Sequence, residues 1–304
     1  MESHVLPDPQ FRNTRTQALR NALEQKRCLR IMEVTSPLSA LVVEASKVAD
    51  EMGQMLEYDG FWSSSLTDST SRGKPDIEIL DVRSRINNIS EIFESTRKPL
   101  IIDADTGGKP EHFEINVIAL ENAGVSAAII EDKAGLKKNS LLGNRVVQIQ
   151  ESPDDFGAKI ERARKARRSD DFMIIARIES LVLEKGMPDA LSRARTYVEA
   201  GADGVMIHSK SKEPAEVLEF ATHFREQDKR TPLVCVPTTY NRIKFSELEQ
   251  AGFNLVIYAN HLLRAAYPAM VKAAAGILSS GRSYEIEDQL FSIEEILRLI
   301  PGTV

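Results

Sequence analysis

Two stretches of the chain join an apolar run to a charged ending: Ile101-Ile102-Asp103-Ala104-Asp105-Thr106-Gly107 and Ile129-Ile130-Glu131-Asp132-Lys133. A strand covered on both faces must be apolar, and its chemistry emerges where it ends. Asp103 and Asp105 have one residue between them, which predicts both carboxylates on one face of a strand. Carboxylates that close repel in a dry site unless a cation lies between them. Mg²⁺ suits such hard oxygen ligands and keeps several waters. Glu131 ends the next run and is a natural further ligand, through water. A turn-forming Asp/Gly cluster is the alternative reading of residues 103–108. Asp132 and Lys133 could simply pair with each other.

Residues 133–145 carry Lys133, Lys137, Lys138, Asn139, Ser140, Asn144 and Arg145, punctuated by Gly135 and Gly143. A polar, glycine-broken segment after a strand predicts a mobile loop over a mouth. Lys137 and Asn139 would then donate to anionic oxygens, although a merely solvated loop has similar composition. Arg177 and Glu179 alternate on another run. An inward Arg needs a carboxylate or a bound anion, so an anion site and a structural Arg–Glu pair both fit. His208, followed by Ser209 and Lys210, could donate to a substrate carboxylate or be a packed core histidine. His4 lies in the tail, and His112 and His223 lie on expected helices. His261 follows Asn260 at the last expected strand end.

These residues need a scaffold that delivers strand ends to one place. Apolar runs predict strands over 29–34, 60–64, 100–105, 127–131, 173–178, 204–208, 233–236 and 255–259. Between them, Ile79, Val82, Ile86, Ile89 and Phe93 recur at helical spacing, which predicts a helix over 76–96. Ala123-Gly124-Val125, Ala200-Gly201-Ala202 and Ala251-Gly252-Phe253 each place Gly where a helix ends before a strand. Repeated strand–helix units predict an α/β fold, a closed (β/α)8 barrel of the TIM type, with an open doubly wound sheet as the alternative. One domain is expected: a short helical extension over 1–27, the barrel over 28–278 and a helical tail over 279–304. Residues 262–278 are apolar nearly all round, which suggests a helix covered on both sides at a subunit interface. Ser292 and Glu295 have capping-box spacing, and Pro301 should stop that last helix.

Composition narrows the class. The chain has 304 residues, 42% hydrophobic content and a formal charge of −6. That supplies a core and argues against nucleic acid or an anionic membrane as partner. Cys28 and Cys235 sit in apolar runs and read as buried thiols, with no zinc-type cluster. The opening MESHVLPDPQFRN has no apolar signal core, and no stretch approaches a membrane span. A cytoplasmic enzyme acting on a small molecule is expected. The basic run 162–168 reads as a solvated helix face.

From about residue 29 to 301, the sequence resembles the phosphoenolpyruvate phosphomutase family of the isocitrate lyase/mutase superfamily. The most specific match is a loop signature standing intact as Glu131-Asp132-Lys133, five residues, Asn139-Ser140. DADTG at 103–107, ARIES at 176–180, MIHSK at 206–210, VPTTY at 236–240 and YANHLLRA at 258–265 support it. The resemblance implies a barrel whose eighth helix is exchanged between subunits of a homodimer or homotetramer. It implies interconversion of phosphoenolpyruvate and 3-phosphonopyruvate with Mg²⁺. Asp103 would hold the metal, with Asp105 and Glu131 in its network. Arg177 and His208 would bind substrate oxygens, as would Ser140 beside them. Ser64 and Leu66 would offer backbone amides, Asp76 would be the reactive carboxylate, and Lys137 and Asn139 the gating-loop donors. A phosphonopyruvate hydrolase departs from the Asn-Ser loop end, and a C–C lyase carries a loop Cys that this loop lacks. These are the alternatives, with a non-catalytic ligand-binding descendant the least expected.

Overall fold

The computed structural model describes residues 14–300 and 302. His4 and Pro301 lie outside the described residues. Eight parallel strands form a closed barrel in sequential order: Leu29–Glu33 (β1), Gly60–Ser63 (β2), Leu100–Asp103 (β3), Ala127–Glu131 (β4), Met173–Ile178 (β5), Gly204–Ile207 (β6), Leu233–Cys235 (β7) and Leu255–Tyr258 (β8). Pairing of β1 with β8 closes the ring, in the register Leu29↔Leu255 and Ile31↔Ile257. The open-sheet alternative is thereby removed.

The barrel interior follows from the two-residue period of strands. Leu29 and Ile31, Ala127 and Ile129, Met173 and Ile175, Val234 and Val236, and Leu255 and Ile257 all belong to one buried cluster. Extending each inward series toward the carboxyl end gives the polar residues. Asp103 follows Ile101, Glu131 follows Ile129, Arg177 follows Ile175, and His208 follows Met206. The same alternation that fills the core therefore delivers ionisable side chains to one mouth.

Helices Thr14–Gln25 (α1), Pro37–Ala45 (α2), Ser65–Ser71 (α3), Val82–Ser95 (α4), Pro110–Ala123 (α5), Pro153–Ala166 (α6), Met187–Glu199 (α7), Ala215–Gln227 (α8) and Phe245–Gln250 (α9) accompany the strands. The glycines expected at helix ends, Gly124, Gly201 and Gly252, have φ of 90, 96 and 98°. A side chain there would strain the turn into the next strand. One helix differs from expectation. Residues 76–81 are not helical, because Asp81 caps α4 through the Ser84 N–H at 2.8 Å. Before it, Glu78 adopts φ 60° and accepts from Thr106 Oγ1 at 2.9 Å, which draws the segment over β3.

The described residues divide into two compact units, separated after Asn260. The second holds His261–Ser280 (α10), a 3₁₀ turn over Tyr284–Gln289 and Ile293–Leu299 (α11). A Cβ on Gly276 would lie 2.5 Å from Ile286 Cγ2, so only glycine lets α10 and the turn approach this closely. Ser292 and Glu295 form the expected capping box on α11. No α10 residue is buried, and Tyr267, Met270, Val271 and Leu278 are exposed. Among the described residues, no helix is long and apolar enough to cross a membrane.

Candidate active site

At the carboxyl-terminal mouth lies a cavity of about 70 Å³, lined by residues including Trp62, Asp76, Asp103, Glu131, Lys137, Asn139, Ser140, Arg177 and His208. Ser64 and Leu66 also line it, at the start of α3, where the Ser64 side chain caps the helix. Ten of the eleven residues singled out for a site thus border one space. The eleventh, Asp105, reaches it through Lys137, whose Nζ donates to Asp105 Oδ1.

Asp105 departs from its expected place. β3 ends at Asp103, and Asp105 has φ 56°, so the two are not successive residues on one strand face. The chain turns to let Glu131 N–H donate to the Asp105 carbonyl at 2.8 Å, which locks β3 to β4. The Asp132–Lys133 pair does not form either. Asp132 accepts from Tyr197 Oη and Gln150 Nε2, each at 2.8 Å, whereas Lys133 lies 3.2 Å from Glu131. Successive residues point to opposite sides here, so the two charges serve different neighbours.

Residues 133–134 pair antiparallel with 149–150 and anchor a loop over the mouth. Lys137 Nζ donates to Asp76 Oδ1 at 2.9 Å and also to Ser65 Oγ. Asn139 Nδ2 donates to Asp76 Oδ2 at 2.9 Å. Ser140 Oγ accepts from Arg177 Nη2 at 2.7 Å. The loop signature is therefore seated on Asp76 and on β5 together. Arg177 also pairs with Glu179, and His208 Nδ1 lies 3.0 Å from the same carboxylate. Arg177 is thus paired with a carboxylate and also lines the cavity.

The electrostatics follow from this crowding. Burial raises Asp103, but Lys137, Arg177 and Arg85 outweigh it and hold its carboxyl down at about 2. Burial pushes Glu131 up to about 7 against the pull of Arg177 and Lys133. Burial, then Arg177, lowers His208, so its imidazole is neutral near pH 7. Lys137 is raised by Asp103, Asp105, Glu131 and Asp76 in spite of its burial, and stays charged.

Sequence reasoning missed three contributors. Ser65 Oγ donates to Asp103 Oδ2 at 2.8 Å. Arg85, fully buried on α4, donates to Asp68 Oδ2 at 2.9 Å, to the Ser63 carbonyl at 2.8 Å and to the Asp103 carbonyl, bracing β2 against β3. Thr238 lines the rim. Arg85 left no signal, because a charge at helical spacing reads as solvated. Thr238 stands inside VPTTY and Ser65 between Ser64 and Leu66, each without a distinguishing neighbour.

Among the described residues, no group of three or more His, Cys, Asp or Glu side chains is gathered as a metal cluster. The expected triad of Asp103, Asp105 and Glu131 is instead interleaved with Lys137, Arg177 and Lys133. The donor chemistry nonetheless fits a hard cation held mostly through water. Asp103 is ionised, and neither buried oxygen of Glu131 accepts a hydrogen bond.

A sequence model of the family described as phosphoenolpyruvate phosphomutase matches residues 19–278. The chain belongs to that family. It is 35% identical over 291 residues to a phosphonopyruvate hydrolase of Variovorax sp., covering 94% of each chain. It superposes on a crystal structure of phosphoenolpyruvate phosphomutase from Streptomyces platensis subsp. rosaceus with a TM-score of 0.83 and 36% identity, over 93% of this chain and 94% of that one. A crystal structure of phosphonopyruvate hydrolase in complex with oxalate and Mg²⁺ gives a TM-score of 0.81 at 33% identity, over 94% of both chains. At the level these matches share, the chain is an enzyme of the phosphoenolpyruvate mutase/isocitrate lyase superfamily.

Proposed function

We propose that this enzyme is a phosphoenolpyruvate phosphomutase, interconverting phosphoenolpyruvate and 3-phosphonopyruvate. The observation that carries the reading is the seating of Asn139 and Lys137 on Asp76, beside Ser140 on Arg177. Those contacts cluster donors for a phosphoryl group at one carboxylate, with the intact Asn-Ser loop end closing over it.

The P–O bond of phosphoenolpyruvate breaks with its electron pair left on the enol oxygen, giving pyruvate enolate and a phosphoryl group. The enolate's C3 then attacks phosphorus, and the C2 carbonyl forms as the C–P bond is made. Backbone N–H groups of Ser64 and Leu66 bind the pyruvyl oxygens as charge develops. Arg177, Lys137 and Asn139 hold the phosphoryl oxygens, which is a positioning task. His208, neutral, accepts from Arg177 Nη2 at Nδ1, so its proton sits on Nε2 and donates to a substrate oxygen. Asp76 guides or briefly accepts the phosphoryl group. The covered mouth keeps water from taking it. Asp103, with Asp105 and Glu131, would hold Mg²⁺, which when bound supplies charge stabilisation for the enolate.

The second reading is a phosphonopyruvate hydrolase, favoured by the 35% identity to the Variovorax protein of that name. Phosphorus NMR of the protein with phosphonopyruvate and Mg²⁺ separates them. The mutase reading expects a phosphoenolpyruvate resonance; phosphate alone would overturn it in favour of the hydrolase. We also propose that the exposed apolar side chains of α10 are covered in a dimer or tetramer by helix exchange. Sedimentation of an active species at the 33.9 kDa chain mass would contradict this.

A further inference from the structure

Lys133 has a set of partners that neither the reaction nor the barrel requires. Its side chain is 3% exposed. Its Nζ donates to the Lys138 carbonyl at 2.8 Å, to Ser140 Oγ at 2.9 Å and to Gln148 Oε1 at 3.0 Å. An ammonium has three N–H donors, and all three are spent on the 135–148 loop. On its other side are two fixed carboxylates, Glu131 at 3.2 Å and Glu179 at 3.7 Å. One buried cation thus joins the loop to the ends of β4 and β5.

We propose that Lys133 is a positioning residue that latches this loop shut over the site. A buried ammonium that loses its well-placed hydrogen-bond acceptors is costly even with carboxylates nearby. When the loop lifts, the Lys138 carbonyl and Ser140 leave with it, and Lys133 keeps only the carboxylates. Closure restores the full donor set, so the ammonium favours the closed state. Ser140 accepts from Lys133 and from Arg177 at once, at 2.9 and 2.7 Å. The latch therefore also fixes the rotamer of Arg177 at the cavity wall. Gln148 extends the grip, because its Nε2 donates to the Gly143 carbonyl at 2.8 Å. Lys133 touches no reacting atom in this account.

The consequence for chemistry rests on the mutase reading. A loop that opens more often admits water to the phosphoryl group. Water oxygen then attacks phosphorus, the P–O or P–C bond breaks, and the organic fragment takes a proton to give pyruvate and phosphate. Loosening the latch should divert turnover from rearrangement toward phosphate.

The test has one arm independent of function. Hydrogen exchange is measured on the substrate-free full chain as wild type, Lys133→Met and Gln148→Ala. Lys133→Met keeps the length and removes the donors. Exchange across 135–148 should rise about tenfold or more in Lys133→Met and less in Gln148→Ala, while strand amides stay protected. Acrylamide quenching of Trp62, the chain's one tryptophan and a cavity-lining residue, should rise in parallel. Unchanged loop exchange would overturn the latch, and so would equal loosening of loop and strands. If Lys133→Met does not fold, unchanged exchange in Gln148→Ala overturns it instead. The second arm follows phosphorus NMR, where Lys133→Met should raise the phosphate fraction at least severalfold over wild type. A wild type without turnover would sink the mutase reading and leave the latch to stand or fall on exchange.

Discussion

The two mouths of the barrel carry similar charged residues and use them in opposite ways. At the amino-terminal mouth, α1 sets Leu19 into the strand cluster, with Ala22 and Leu23 packed against it. Arg15 there donates to the carbonyls of Lys98 and Thr96. Asp203 accepts from Arg20 at 2.7 Å, from Arg167 at 2.6 Å and from the Ile174 N–H at 2.9 Å. These charges tie helices to strand starts and terminate backbone that would otherwise be orphaned. At the carboxyl-terminal mouth, Asp103, Glu131, Lys137 and Arg177 face one another around a space. Their partners are mostly other ionised side chains, several borrowed from a loop. Charges that close on backbone serve the fold; charges that close on each other around a cavity are poised for a ligand.

The largest effect is expected at Asp103. Asp103→Ala should abolish turnover with the barrel still folded, because Glu131 and Asp105, both raised by burial, do not replace a carboxylate held ionised at the end of β3. Chelation of the wild type should have the same effect reversibly. Activity retained in either case, followed by phosphorus NMR, would remove Asp103 from the site. Next comes Asn139→Ala, expected to add about 2–4 kcal/mol to the barrier as the loss of one transition-state donor. Lys138→Ala should be mild, since the loop uses its carbonyl and not its ammonium for Lys133. Equal losses at both positions would make the loop a general electrostatic cover.

The opposite mouth should answer with stability. Asp203→Ala leaves two guanidinium groups and a backbone N–H short of an acceptor and should cost about 2–3 kcal/mol in urea unfolding. The kcat of the folded fraction should not change, and a drop there would erase the distinction between the mouths. The smallest effect concerns Glu78, which burial and then Asp105 push up to about 7. Its folded value lies above its unfolded one, so its contribution is fully present below about 4.5 and is lost as pH rises through 7. Glu78→Gln keeps an acceptor for Thr106 and does not titrate. Its melting point should match wild type near pH 5 and exceed it by about 3 °C at pH 8. An equal gap at both pH values would contradict the assignment.

Strands were legible because a barrel interior demands long apolar runs, and each expected run overlaps its strand to within two residues. The carboxylates, Arg177 and His208 were legible as the first polar residues of those runs. Residues 76–81 were not. Ile79 keeps helical spacing with Val82, yet it is exposed, and Glu78 follows its bond to Thr106 instead. Asp105 was misplaced on the strand for a related reason, since spacing cannot reveal a left-handed turn taken to satisfy Glu131 N–H.

The eight strand runs, the glycine-ended helices and the polar, glycine-broken loop can be read along the chain, because periodicity and turn chemistry are local properties. Which charge meets which is settled by the fold. Arg85 braces two strands from a helix, Ser65 orients Asp103, and Lys133 turns away from its neighbour Asp132 toward the loop. Those choices depend on distances between residues far apart in the chain. Burial then sets their worth, since a partner that is trivial in water becomes obligatory once the solvent is gone.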